Sequence, residues 1–164
     1  MFNKVKNILL KKAVKSHKKS LKPFVLSELK KVVFIIDENQ DISQENSVLK
    51  NFVSDSITIE RIAYTKTIDD QKTIMHPLFC PKDFNWYHKP TGKDLVNFLD
   101  EKYDLVIDLT EKTNEYQSII MQFINTKIIA GFKRLESYSV NINIRDNNLL
   151  FIEELLRYLD TFKK

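Results

Sequence analysis

Acidic side chains stand at the ends of two apolar runs that are typical of buried strands. Asp37 follows the run 32–36 and is itself followed by Glu38 and Asp41, and Asp108 lies near the end of a second run. Ligands bind at the carboxyl ends of strands in open parallel sheets, so these acids could gather as a Mg²⁺ or acid/base site. The alternative is that each aspartate caps the turn or helix behind it. We favour capping, because no serine, cysteine or lysine nucleophile stands out beside the acids.

Two histidines and the single cysteine form a second set of chemically capable residues. His76 and Cys80 are four residues apart, and His88 follows eight residues after Cys80. This spacing matches no strong zinc pattern, and Pro77 and Pro81 break any helix that would align the three side chains. We therefore predict no metal and no other cofactor, and we expect a loop of ordinary polar and packed residues.

The segment 78–90, LFCPKDFNWYHKP, interleaves four aromatic rings with cations and contains the only tryptophan of the chain. Such a segment can stack on unpaired bases and contact phosphates. It can equally anchor a protein interface, or its rings can fold back over a sheet edge. All three interpretations stay open at this point. The residues that would contact RNA are Lys82, Trp86, Tyr87, His88 and Lys89.

The first 22 residues hold eight lysines and no acid, which makes this segment +8 while the remaining residues sum to −4. We call residues 1–22 the arm. Lysine is a compact point charge that suits phosphate contacts without base readout, so we favour positional binding to nucleic acid. The alternatives are an anionic membrane, since one face of the predicted helix 2–19 is apolar, and a solvated tail. The candidate phosphate contacts are Lys4, Lys11, Lys12, Lys15, Lys18, Lys19 and Lys22.

Glycine is scarce, and this excludes two common sites. Gly92 and Gly131 are the only glycines in the chain. A phosphate-binding P-loop needs two glycines beside a Lys-Ser/Thr pair, and a dinucleotide fingerprint needs three within six residues. Neither motif can be built here, so we expect no nucleotide ligand.

These residues have to be positioned by the elements that periodicity predicts. We predict strands at 32–37, 57–64, 104–109, 128–132 and 138–144, and helices at 43–53, 94–103, 115–125 and 149–162. Strands separated by helices imply right-handed crossovers. The prediction is an α/β, Rossmann-like domain over residues 23–164, with a mostly parallel five-stranded sheet flanked by helices and preceded by the arm. No apolar run approaches a membrane span, and the lone cysteine fits a reducing cytoplasm, where we place the protein.

The stretch YDLVIDL, followed by a helix and then NTKIIAGF, resembles the N-terminal half of heptosyltransferase-like glycosyltransferases. In that family a strand ending in Asp precedes a helix and a strand ending in Gly-Phe. Those enzymes use a second domain to bind the sugar nucleotide, for which this chain has no room. The resemblance therefore implies a Rossmann-like body without that catalysis.

The whole chain resembles a small uncharacterised family of α/β proteins from Bacteroidota bacteria, through its basic start and the motifs VVFIID, DFNWYHKP, YDLVIDL and IIAGFKR. We associate this resemblance with a lineage-specific component of the large ribosomal subunit, whose partners would be rRNA and neighbouring ribosomal proteins. We therefore expect a non-catalytic RNA-associated protein, anchored to rRNA by the arm. The alternatives are a small enzyme that uses acids at strand ends and a peripheral membrane-associated scaffold.

Overall fold

The computed structural model describes residues 25–67, 77–112, 114–133 and 138–161. The arm, with its predicted helix and its candidate lysines, lies outside the described residues, as does His76.

The described chain forms a six-stranded sheet in the order β3-β2-β1-β4-β5-β6, and every ladder between neighbouring strands is parallel. The strands are β1 Lys31–Asp37, β2 Thr58–Tyr64, β3 Leu78–Phe79, β4 Tyr103–Asp108, β5 Thr126–Gly131 and β6 Val140–Asn141. The helices are α1 Ser43–Phe52, α2 Lys93–Asp100, α3 Glu115–Phe123 and α4 Asn148–Asp160, with 3-10 turns at Leu26–Glu28 and Pro81–Asp83. The predicted Rossmann-like α/β class is confirmed.

Helices cover both faces of the sheet, which explains why β1 contains no polar residue in its centre. Val32, Phe34 and Ile36 pack into a core shared with α1 and α4. Val33 and Ile35 point the other way, into a core shared with α2 and α3. A strand buried on both faces has to be apolar at every position, unlike a strand with one face in water.

The sheet has six strands where periodicity predicts five. The additional strand, β3, has only two residues, too few for any period to be detected. The predicted strand 138–144 is also shorter, because only Val140–Asn141 pairs with β5. Ile142 and Ile144 produce the alternating pattern by packing against the core without belonging to the strand.

The topological switch point of the sheet lies between the neighbouring strands β1 and β4. From β1 the chain proceeds to β2 and β3, and it then returns to β4 on the opposite side of β1. The carboxyl ends at such a switch point form a crevice, the usual ligand site of open α/β sheets. No helix in the described ranges is long and apolar enough to cross a membrane.

Candidate functional site: the carboxyl edge of the sheet

The acids at the carboxyl edge do not gather into one cluster. Asp108 pairs with Ile35 in the ladder, so Asp37 lies two positions farther along its own strand. Asp37 Oδ2 accepts a hydrogen bond from the Glu111 backbone N–H at 3.0 Å, which ties the end of β1 to the loop after β4. The two aspartates therefore lie at different depths in the crevice.

Asp41 and Asp108 both cap local structure, as the capping interpretation predicts. Asp41 Oδ1 accepts hydrogen bonds from the Ser43 N–H at 3.0 Å and the Ser43 hydroxyl at 2.5 Å, and these bonds lower the pKa of Asp41. Asp108 Oδ1 accepts from the Thr110 N–H at 3.0 Å and the Thr110 hydroxyl at 2.6 Å. Across the described ranges, no three His, Cys, Asp or Glu side chains are grouped so that they could hold a metal ion.

Asp108 is also the centre of a buried polar network that the sequence did not predict. The Tyr138 hydroxyl donates to Asp108 Oδ2 at 2.5 Å, and Lys133 Nζ lies 3.2 Å from the same oxygen. Lys133 also donates to the Thr110 hydroxyl at 2.5 Å. Burial, together with the nearby Asp108 carboxylate, raises the pKa of Tyr138. The network thus holds an ion pair and a neutral phenol at the end of β4.

Gly131 is the sequence signal that could have located this network. A Cβ at Gly131 would lie 2.4 Å from the ring of Tyr138, far closer than any normal contact. Glycine in a strand often marks a place where another group approaches the backbone closely. Here that group is the ring whose hydroxyl reaches Asp108.

An acidic groove lies at the switch point, between the loops after β1 and β4 and the start of α4. Its volume is about 1070 Å³. Its charged lining consists of Asp37, Glu38, Glu45, Glu111, Asp146 and Arg145, which is five carboxylates against one guanidinium. Its apolar lining consists of Leu109, Phe132 and Leu149.

A second feature follows β3, where residues 84–90 form what we call the Trp86 loop. Phe84 and Pro90 at its base are buried and form an antiparallel bridge. At its tip, Trp86 is 65% exposed and Tyr87 is 59% exposed, the two highest values among the exposed large hydrophobic residues of the described chain. Their rings lie against each other.

Hydrogen bonds fix the Trp86 loop from inside. Asn85 Oδ1 accepts from the N–H groups of Tyr87 and Lys89, each at 3.0 Å. The Asn85 N–H donates to the Lys89 carbonyl, and the His88 N–H donates to the Asn85 carbonyl, both at 2.9 Å. The exposed rings of Trp86 and Tyr87 are therefore attached to a backbone that internal hydrogen bonds hold in one conformation.

The aromatic residues of this segment divide into two groups. Phe84 is buried, with its ring centroid 4.9 Å from Tyr116 and 6.2 Å from Phe79. Phe79 and Phe84 thus cover the sheet, as one of the open interpretations expected. Trp86 and Tyr87 do not, and they remain available to a partner.

The burial of His88 does not fit the expectation that this side chain contacts RNA. It is only 9% exposed, its ring packs near Tyr116, and its Nε2 lies 3.6 Å from a Glu115 carboxylate oxygen. Its φ of 60° is the left-handed conformation that turns the chain here and directs the ring inward. Lys82, just before the loop, and Lys89, within it, are exposed, so four of the five candidate contacts in this segment face solvent.

The fold and these two features define a Rossmann-like α/β protein with an acidic switch-point groove, an exposed aromatic loop and no glycine-rich phosphate loop. The chain belongs to the family described as a family of unknown function (DUF6913), which matches residues 3–162. Among the curated proteins and the solved structures, no match to the chain was found. The resemblances to glycosyltransferases and to a ribosomal component stay predictions.

Proposed function

We propose that this chain is a non-catalytic RNA-associated protein, most concretely a ribosome-bound one. The arm supplies contacts to rRNA phosphates, and the Trp86 loop supplies a second contact to unpaired bases or to a neighbouring protein. The observation that carries the proposal is the pair of exposed rings, Trp86 and Tyr87, flanked by exposed lysines on a hydrogen-bonded loop.

Stacking is the chemistry that such a loop offers. A base stacked on an aromatic side chain contributes about 1–3 kcal/mol, and it does so with little dependence on sequence. Because the loop backbone is already ordered, binding loses little conformational entropy. Lys82 and Lys89 add phosphate contacts beside the rings.

Charge supports the same assignment. Residues 1–22 carry +8 and the remainder carries −4, so attraction to a polyanion is concentrated in the arm. A mildly acidic body touches RNA only through a local patch, or it touches protein instead. An arm that binds phosphates accounts for the basic charge, and a loop that makes a local contact accounts for the acidic body.

The arm is tested by sucrose-gradient sedimentation of native lysate at low and high salt. Reversal of Lys11, Lys15 and Lys18 to Glu should abolish co-sedimentation with ribosomes. The matched control reverses Lys50, Lys66 and Lys102, which are exposed on the body, and changes the net charge equally. Association that survives the arm variant would show that the arm is not the anchor.

The loop is tested in the same gradients with Trp86→Ala and Tyr87→Ala. We expect weaker association at high salt, where stacking contributes more than charge. Phe123→Ala is the control, since Phe123 is an exposed ring on α3, outside the loop, at 45% exposure. Treatment with ribonuclease then separates contact with RNA from contact with protein.

A second candidate function is a small enzyme at the carboxyl edge, which the buried Asp108–Lys133–Tyr138 network favours. Alanine at Asp37 and Asp108 tests it wherever an activity can be assayed. The membrane alternative is tested with liposomes: binding to anionic but not neutral vesicles would support it, and sedimentation only with ribosomes would remove it.

A further inference from the structure

We propose that the buried His88 is a positioning residue of the Trp86 loop: its ring packs on Tyr116 of α3 and so holds Trp86 and Tyr87 outward. The partner that this conformation favours, an unpaired base, rests on the proposed function. The positioning itself does not, and it is measured without RNA.

His88 is the point at which the tip of the loop attaches to the body. Among residues 85–89, His88 alone is buried. Within the described ranges, the hydrogen bonds of this tip run between its own residues, from Asn85 to the three positions 87, 88 and 89. These bonds fix the shape of the tip but not its orientation on the body. That orientation therefore depends on the His88 side chain and on the base of the loop.

Tyr116 contacts both the base and the tip of the loop. Its ring centroid lies 4.9 Å from that of Phe84 and 5.7 Å from that of His88. It also stacks on Tyr64 of β2, with centroids 5.7 Å apart and ring planes 10° apart. Because Tyr116 lies in the first turn of α3 and packs on the sheet, a side chain that packs on Tyr116 is held by the body of the fold.

The polar atoms of His88 show that stability alone does not account for this residue. Nδ1 and Nε2 are both buried and have no hydrogen-bond partner in the described part of the chain, and the 3.6 Å from Nε2 to Glu115 Oε1 is too long for such a bond. Burial of unpaired polar atoms destabilises a fold. The left-handed φ of 60° adds to that cost. Costs of this kind occur where a function requires one particular geometry, here the outward direction of the two neighbouring rings.

A fixed tip favours binding because it presents two rings together. Trp86 is 65% exposed and Tyr87 is 59% exposed, and their rings lie against each other. A loop that is ordered before it binds loses less conformational entropy when a base stacks on it. Loss of the His88 ring should therefore weaken binding, although it removes no group that contacts the base.

The first experiment measures the order parameters of backbone N–H groups in the full chain by NMR relaxation, without RNA. In the unmodified chain, residues 86–89 should have order parameters near about 0.85, the value of rigid backbone. In His88→Asn these values should fall below about 0.6, because asparagine keeps the left-handed backbone but lacks the ring that packs on Tyr116.

Val48→Ala is the matched control for this experiment. It removes packing from the core on the other face of the sheet, so it should leave the order of the loop unchanged. Circular dichroism verifies that each variant folds. If His88→Asn does not fold, Tyr116→Leu takes its place, because it removes the ring on which His88 packs.

The second experiment measures the Kd of the full chain for a labelled poly(U) oligonucleotide. His88→Asn should raise Kd about tenfold, because binding then has to order the loop and its two rings. The same substitution is made in a chain that already carries Trp86→Ala and Tyr87→Ala. There it should leave Kd unchanged, since no rings remain to be positioned.

The outcomes separate this inference from the proposed function. Loop order that falls in His88→Asn, with an effect on Kd that requires the two rings, supports it. Loop order that is unchanged in a folded His88→Asn, or a rise of Kd that is equal in both backgrounds, overturns it. If the loss of both rings leaves Kd unchanged, the base contact of the proposed function fails, and the order parameters alone decide whether His88 positions the rings.

Discussion

At the scale of single residues, Asp108 is a fully buried carboxylate whose partners are all supplied by the fold. Asp108→Ala should lower the free energy of unfolding by about 3–5 kcal/mol, because it breaks an ion pair at a fully buried site and leaves the partly buried Lys133 charge without its carboxylate. Urea denaturation measures the change. The exposed Asp55→Asn should change it by no more than about 0.5 kcal/mol. A cost for Asp108→Ala below about 1 kcal/mol would contradict a structural role for the network.

Asp104 should make the stability of the fold depend on pH in the acid range. Burial raises its pKa, but hydrogen bonds from the Lys30 and Lys31 N–H groups, at 3.0 and 3.1 Å, and the charge of Lys127 lower its pKa overall. A lowered folded-state pKa stabilises the protein above the unfolded-state pKa of about 3.9. That contribution is lost as the pH falls through the folded-state pKa.

Urea denaturation of the wild type and Asp104→Asn between pH 6 and about pH 2.5 tests this prediction. The wild type should lose more stability than the variant over the acid part of this range. Equal losses would mean that Asp104 does not carry the dependence.

Some residues of the site could be placed from the sequence, and others could not. Asp37 and Asp108 could be placed at strand ends, because an acid that closes an apolar run is visible in the sequence. Lys133 and Tyr138 could not be joined to Asp108, because they lie 25 and 30 residues away in the chain. Only the register of β4 against β5, with Asp108 beside Gly131, brings them together.

At the scale of elements, the Trp86 loop contains one ring that stabilises the fold, Phe84, and one that we propose contacts a partner, Trp86. Phe84→Ala should cost about 3–5 kcal/mol, because it empties a buried site between Phe79 and Tyr116. Trp86→Ala should change stability by no more than about 0.5 kcal/mol, since its ring is mostly exposed. Thermal unfolding of both variants measures the difference. Equal costs would place Trp86 in the fold and weaken its proposed role as a contact.

Long elements were predictable and short ones were not. The strands β1, β2 and β4 and all four described helices were anticipated within a few residues, because each presents several apolar positions at one period. β3 has two residues and carries no period, so the segment around it was expected to be irregular. Its position in the sheet comes from pairing with β2, which is a tertiary contact.

At the scale of the whole molecule, the division of charge between arm and body predicts how RNA binding responds to salt. On single-stranded RNA each neutralised phosphate contributes about −0.7 to the slope of log K against log salt, so the eight arm lysines contribute at most about 6 to its magnitude. Reversal of Lys11, Lys15 and Lys18 should reduce the slope by about 2 or more. Trp86→Ala should weaken binding without changing the slope.

Fluorescence anisotropy with a labelled poly(U) oligonucleotide measures both quantities. The body control, with Lys50, Lys66 and Lys102 reversed, should keep most of the slope. A slope that falls equally in both triple variants would indicate diffuse attraction to net charge instead of attachment through the arm.

The sequence by itself determined the α/β class, the absence of a glycine-rich phosphate loop and the separation of a basic arm from an acidic body. These properties depend on composition and local periodicity, which need no knowledge of distant contacts. The tertiary structure decided which aromatic rings are buried and which are exposed, because Phe84 packs against Phe79 and Tyr116 while Trp86 lies exposed at the tip of its loop. It also assembled the Asp108 network and the acidic groove, since residues far apart in the chain meet only where parallel strands end together.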